Sequence, residues 1–112
     1  MTPEQLSEHV RTVLTELLPD RETITVGALL DAGKIVSARY DRNHRVMHAD
    51  AQRGGAIIWG MRQRKLSWRE IYDATGIVQR TGARWMALFE AEGITEQDPA
   101  ELRQRADGPE QS

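Results

Sequence analysis

Apolar residues recur at intervals of three and four along this chain, and no two segments alternate well enough to pair as strands, so the fold open to it is a packing of helices. Leu6, Val10, Val13, Leu14 and Leu17 share one side of a first helix. Thr2 can cap it, Pro3 suits its first position, Gln5 can reach back to the Thr2 amide, and Pro19-Asp20 stops it. Such a stripe serves as core or as the seam of a homodimer. Thr23 to Val26 is the only extended-looking piece; lacking a partner strand, it reads as a linker ending in a Thr25 cap. Leu29, Leu30, Val36 and Tyr40 then suit a helix from Val26 to about Met47. Gly27 and Gly33 weaken it by up to about 1 kcal/mol each relative to alanine, with a break expected near Gly33.

Helical spacing resumes from Asp50 to Arg64, with Gly54, Ile57, Ile58 and Met61 on one side. Arg53, Arg62, Arg64 and Lys65 are expected to stay in solvent. Gly54-Gly55 permits either the close approach of another helix or a bend. The fold expected is therefore all-α. Cysteine is absent, which removes disulfides, thiolate metal sites and a cysteine nucleophile. At 112 residues the chain suits a single small domain whose stability a second copy could raise. The longest apolar run, Ala56 to Met61, is far below the roughly 20 residues that cross a bilayer. With an acidic amino terminus unlike a signal peptide, a cytoplasmic protein that does not contact membrane is expected.

Charge is segregated along the chain. Residues 1 to 32 carry a net −4, residues 33 to 85 carry eleven Lys and Arg against four Asp and Glu for +7, and residues 86 to 112 carry −5. The near-neutral total of −2 thus hides a basic middle, and it is local field that attracts a polyanion. Solvated helix faces would explain the same arginines equally well on charge alone.

Within that basic stretch, Ser67 followed by Glu70 forms a capping box, so a helix should start at Trp68, with Trp68, Ile71, Tyr72 and Thr75 facing inward. Gly76 then supplies the left-handed residue that turns the chain, and Ile77 drops into the core. A further helix from about Val78 to Phe89 has Val78, Gly82, Trp85 and Phe89 on one face and Gln79, Arg80, Ala83 and Arg84 on another.

Ser67-Trp68-Arg69-Glu70-Ile71 with Ala74-Thr75-Gly76-Ile77 and Arg80-Thr81 resembles the helix-turn-helix of resolvases, transposases, sigma-factor carboxy-terminal domains and small bacterial or phage regulators, over residues 50 to 89. The resemblance implies a carboxy-terminal trihelical unit whose last helix enters the major groove while the preceding helix crosses the backbone. On it, Gln79, Arg80 and Arg84 would read bases, since Gln pairs bidentately with adenine and Arg with guanine. Ser67, Arg69, Thr81 and Lys65 would contact phosphate.

The chain departs from that pattern at two places in the turn. Tyr72 stands where a small residue is usual and Gly82 where a branched aliphatic is usual, so a size swap is expected in which the Tyr72 ring fills the space at Gly82. Val78 replaces the usual serine-like cap and leaves amides that a bound phosphate could satisfy.

Other constellations carry less. His44 and His48 are four apart but lack a third ligand at useful spacing, Asp41 and Asp50 being ad hoc, so no metal is expected. His9 reads as a surface residue. No phosphate-binding glycine loop, paired catalytic carboxylates or cofactor motif is present, so neither catalysis nor a cofactor is expected. Trp59, Trp68 and Trp85 could stack on single-stranded bases, though spacing makes two of them core residues first, leaving Trp59 as the candidate.

The sequence thus divides into a helical support or dimerisation segment (1–47), a helix-turn-helix unit (48–95) and an acidic, mobile tail (96–112). Sequence-specific binding of double-stranded DNA by a transcriptional regulator is the function expected. The alternative is an adaptor that uses the same fold to dock on RNA polymerase or another regulator through its acidic termini.

Overall fold

A computed structural model describes residues 1–43 and 48–95, with side chains left undescribed at 41–43. Asp41, His44, Met47 and the tail from 96 onward, all named above, lie outside the described residues or side chains. The described chain is all-helical: α1 (Pro3–Leu17), α2 (Val26–Asn43), α3 (His48–Gln63), α4 (Trp68–Thr75) and α5 (Gln79–Glu92). Among the described residues, no helix is long and apolar enough to cross a membrane.

The first two helices start where their caps place them. The Thr2 hydroxyl accepts from the Gln5 amide and the Gln5 side chain accepts from the Thr2 amide, closing a capping box. Leu6, Val10, Val13 and Leu14 are buried as the expected stripe. The Ala28 amide donates to Thr25 Oγ1 at 3.0 Å, so Thr25 caps α2.

The break expected at Gly33 does not occur, and α2 runs on through it. Gly33 is buried where a Cβ would stand 2.8 Å from both Met61 Cε and Thr75 Cγ2. Absence of a side chain is what lets α2 pack on α3 and α4 together, and that packing overrides the weak helix propensity.

Helix α3 is the hub, buried on every side from Ala49 to Met61, with α1, α2 and α5 packed around it. Of the two readings of Gly54-Gly55, close approach holds: a Cβ on Gly54 would lie 2.6 Å from Trp85 Cε3, and one on Gly55 would collide with the Trp85 carbonyl. Helix α5 therefore rests backbone-close on α3.

Arg53, expected in solvent, is 1% exposed. Its Nε and Nη2 donate to the two Glu16 carboxylate oxygens at 2.7 and 3.1 Å, and Nη1 donates to the Ala49 carbonyl at 3.1 Å. A helix covered all round has no wet face to offer. Its arginine is paired instead with a carboxylate from α1, in the two-pronged geometry that suits a guanidinium.

Candidate nucleic-acid interface

The α4–α5 elbow begins in the turn that ends α3. Lys65 adopts a left-handed φ of 67°, the Leu66 amide donates to the Met61 carbonyl at 3.2 Å and the Lys65 amide to the Arg62 carbonyl at 3.0 Å. This double closure normally places glycine at the left-handed position; here it holds a lysine side chain out in solvent. Leu66 anchors the turn in the core, and Ser67 opens α4 with the expected reciprocal cap. Its Oγ accepts from the Glu70 amide at 3.1 Å, while Glu70 Oε1 accepts from the Ser67 amide at 3.0 Å. The Ser67 amide, and after it the Ser67 side chain, hold the Glu70 carboxyl below the usual carboxylate range.

Gly76 turns the chain at φ 81°. Thr75 locks that turn from inside: its hydroxyl donates to the Ile71 carbonyl at 2.7 Å and accepts from the Ile77 amide at 3.1 Å. Ile77 is 4% exposed, as expected. Helix α5 then starts at Gln79 with Val78 as a cap residue that makes no side-chain hydrogen bond, leaving its first amides open.

Gln79, Arg80 and Arg84 are exposed on α5, with Ala83 between them half-buried. Arg80 and Arg84, one turn apart, have side chains on adjoining ground. Among the described residues neither forms an ion pair or hydrogen bond. Around them the structure exposes Lys65, Ser67 and Arg69, together with Arg62 and Arg64. Arg62 holds its guanidinium 5.1 Å from the Trp68 ring centroid and donates to the Leu66 carbonyl at 2.8 Å; Arg64 donates to the Ile24 carbonyl at 3.2 Å. Arg69 meets Asp73 at 3.3 Å in a pair that is open to solvent and so weakly held. Thr81 is different: it is half-buried and turned toward α2.

The expected size swap is real in form but made by another ring. Tyr72 is 49% exposed, outside the elbow, while a Cβ on Gly82 would stand 2.8 Å from Trp68 Cζ3. Trp68, Ile71 and Thr75 already complete the inward stripe of this eight-residue helix, and Trp68 occupies the space over Gly82. Tyr72 is left at the outer edge of that stripe, about 100° round the helix from Ile71. Val78, assigned above to the buried face, is also outside at 48% exposure, because the extended cap residue lies off the helical repeat.

Two further expectations, at Trp59 and His9, are corrected. Trp59 is 8% exposed, so it offers no ring to a nucleobase; it meets Phe89 with centroids 6.2 Å apart. His9 is half-buried, edge-on to Phe89 at 6.1 Å. His48 Nε2 lies 2.7 Å from Glu92 Oε1, and among the described residues no group of three His, Cys, Asp or Glu is placed to hold a metal ion.

Beside the elbow is a cleft of about 240 Å³ that the sequence reading missed, lined by Ser37 and Tyr40 of α2, Gly76, Ile77 and Val78 of the turn, and Thr81 and Trp85 of α5. Trp85 is 2% exposed and its Nε1 has no hydrogen-bond partner, a state that disfavours the fold by roughly 1–3 kcal/mol. Its Cε3 and Cζ3 face Gly54 on α3, so the Nε1-bearing edge is on the side of the indole away from that contact. Ser37 is also buried, and among the described residues its hydroxyl makes no hydrogen bond. A serine amid the α2 stripe Ala32, Gly33, Val36 and Tyr40 was the available signal.

Compared with protein families, curated proteins and solved structures, the chain matches none of them.

Proposed function

We propose that the protein binds double-stranded DNA sequence-specifically, with α4 and α5 as a helix-turn-helix and the role of a small bacterial or phage transcriptional regulator. One observation carries the reading: two arginines that have no partner among the described residues, and a glutamine, stand exposed on the first turns of a helix whose amide end has no side-chain cap. Arginine and glutamine are the side chains that bond base edges in pairs, and an open helix start favours phosphate. Gln79, Arg80 and Arg84 are assigned to bases. Lys65, Arg69 and Ser67, whose hydroxyl still has its proton to donate, are assigned to phosphates, whereas Thr81, turned toward α2, is not. The reading assigns the protein no catalytic step.

Selection of bound duplexes from a random pool, followed by titration at several salt concentrations, tests this. A recovered consensus, with log Kd changing by about 0.9 per phosphate contact for each unit of log salt, is the expected result. Recovery of no consensus, with no salt-dependent affinity for any duplex, overturns the DNA reading in favour of a protein-docking adaptor.

A further inference from the structure

We propose that the cleft between α2 and the start of α5 binds a small carboxylate carrying a single ring. Its polar side chains are the hydroxyls of Ser37, Tyr40 and Thr81, each able to donate, and the Trp85 indole, whose Nε1–H is buried without a partner. The first three amides of α5, uncapped by Val78, lie at the same end of that helix, where the helix dipole favours negative charge. Among the described residues no acidic side chain lines the cleft. The Trp85 and Tyr40 rings, Ile77 and Val78 supply the apolar remainder. Side chains that can all donate, at the positive end of a helix, suit an anionic acceptor head on an apolar body.

Size narrows the class further. A cavity of about 150 Å³ takes a benzene ring, so about 240 Å³ leaves room for one ring and a carboxylate but not for two fused rings with substituents. Tyr40 is the wall residue with solvent on one side: it stands at 83° to the Trp85 indole, with centroids 5.7 Å apart, and is 36% exposed. This wall must shift for the buried Nε1 to reach the ligand.

This site goes beyond the DNA reading, and its test contains no DNA, so either can fail alone. The full chain, labelled with nitrogen-15, gives three indole signals, and that of Trp85 is identified by its loss in Trp85→Phe. Titration with sodium benzoate is expected to move the Trp85 signal saturably, with a Kd on the order of a millimolar for so small a ligand. Benzyl alcohol, neutral and of similar shape, is expected to bind several-fold more weakly. Ser37→Ala should weaken benzoate about tenfold, by loss of one hydrogen bond to a charged group. Thr81→Val is the second variant should Ser37→Ala fail to fold. An unsaturable or absent shift, equal movement of all three indoles, equal affinity for the alcohol, or wild-type benzoate affinity in both variants would each overturn the site.

Discussion

The hub around α3 and the elbow of α4 and α5 both rely on glycine and arginine, and they use each in opposite ways. Around α3, Gly33, Gly54 and Gly55 are places where a neighbouring helix occupies the volume of the missing side chain. At the elbow, Gly76 is needed for its dihedral angle, and the nearest atom to a Cβ there is Ser37 Oγ at an ordinary 3.6 Å. Arg53 in the hub is sealed against Glu16, whereas Arg80 and Arg84 at the elbow pair with no carboxylate among the described residues. Whether a second helix delivers an acid, rather than the arginine's own position in a repeat, separates a structural cation from one left available to a polyanion.

That contrast can be broken most severely at Gly55. Gly55→Ala sets a Cβ against the α5 backbone, which no rotamer change can relieve, and is expected to destabilise by about 3 kcal/mol or more in urea unfolding. Glu16→Gln comes next. It leaves a buried guanidinium facing a neutral amide, an expected loss of roughly 2–3 kcal/mol, below the fully buried case because Glu16 itself is 30% exposed. A stability within about 0.5 kcal/mol of wild type would show that Arg53 reaches water.

The elbow should respond in the other currency. Arg80→Ala and Arg84→Ala are each expected to lower duplex affinity by about 1–3 kcal/mol and to change stability by no more than about 0.5 kcal/mol. An equal loss in both measurements would place those arginines with Arg53. Smaller again is Lys65→Gly, which relieves the left-handed lysine and should raise stability by about 0.5–1 kcal/mol in thermal unfolding while removing one phosphate contact.

The least of these effects is in acid. The carboxyl of Glu92 is lowered chiefly by His48 and then by Gln52, as that of Glu70 is by Ser67. A carboxylate depressed in the folded state contributes stability that is complete above its unfolded value, near 4.5, and is lost as pH falls through the folded value. Melting temperature should therefore fall on the acid side of that value, and Glu70→Gln, which keeps the cap, should fall less steeply between about pH 6 and about pH 3.

Local signals were readable in advance wherever one helix sets them. The Thr2 and Ser67 capping boxes, the Thr25 cap, the α1 stripe and the Gly76 turn depend on residues within a few positions of one another. Errors arose where distant segments decide. Arg53 sits 37 positions from Glu16, so its burial had no local sign. Gly33 looked like a breaker because its partners, Met61 and Thr75, come from two later helices. The compensation at Gly82 was expected from Tyr72, but the elbow's curvature delivers Trp68 there. Of the proposed DNA surface, the exposure of Gln79, Arg80, Arg84, Lys65 and Arg69 was legible from helical repeat and charge. The cleft was not, since Ser37 and Tyr40 lie some forty positions from the residues they face.

The fit of Gly93 has a practical bearing on how the molecule can be handled. A Cβ at Gly93 would meet Met1 Cε at 2.7 Å and His9 Nε2 at 2.9 Å, so residue 1 is seated at the far end of α5. With fourteen residues in that helix, about 20 Å separates this point from Gln79. A dye or a surface tether joined at Met1 would accordingly report on events at the arginine end without crowding them.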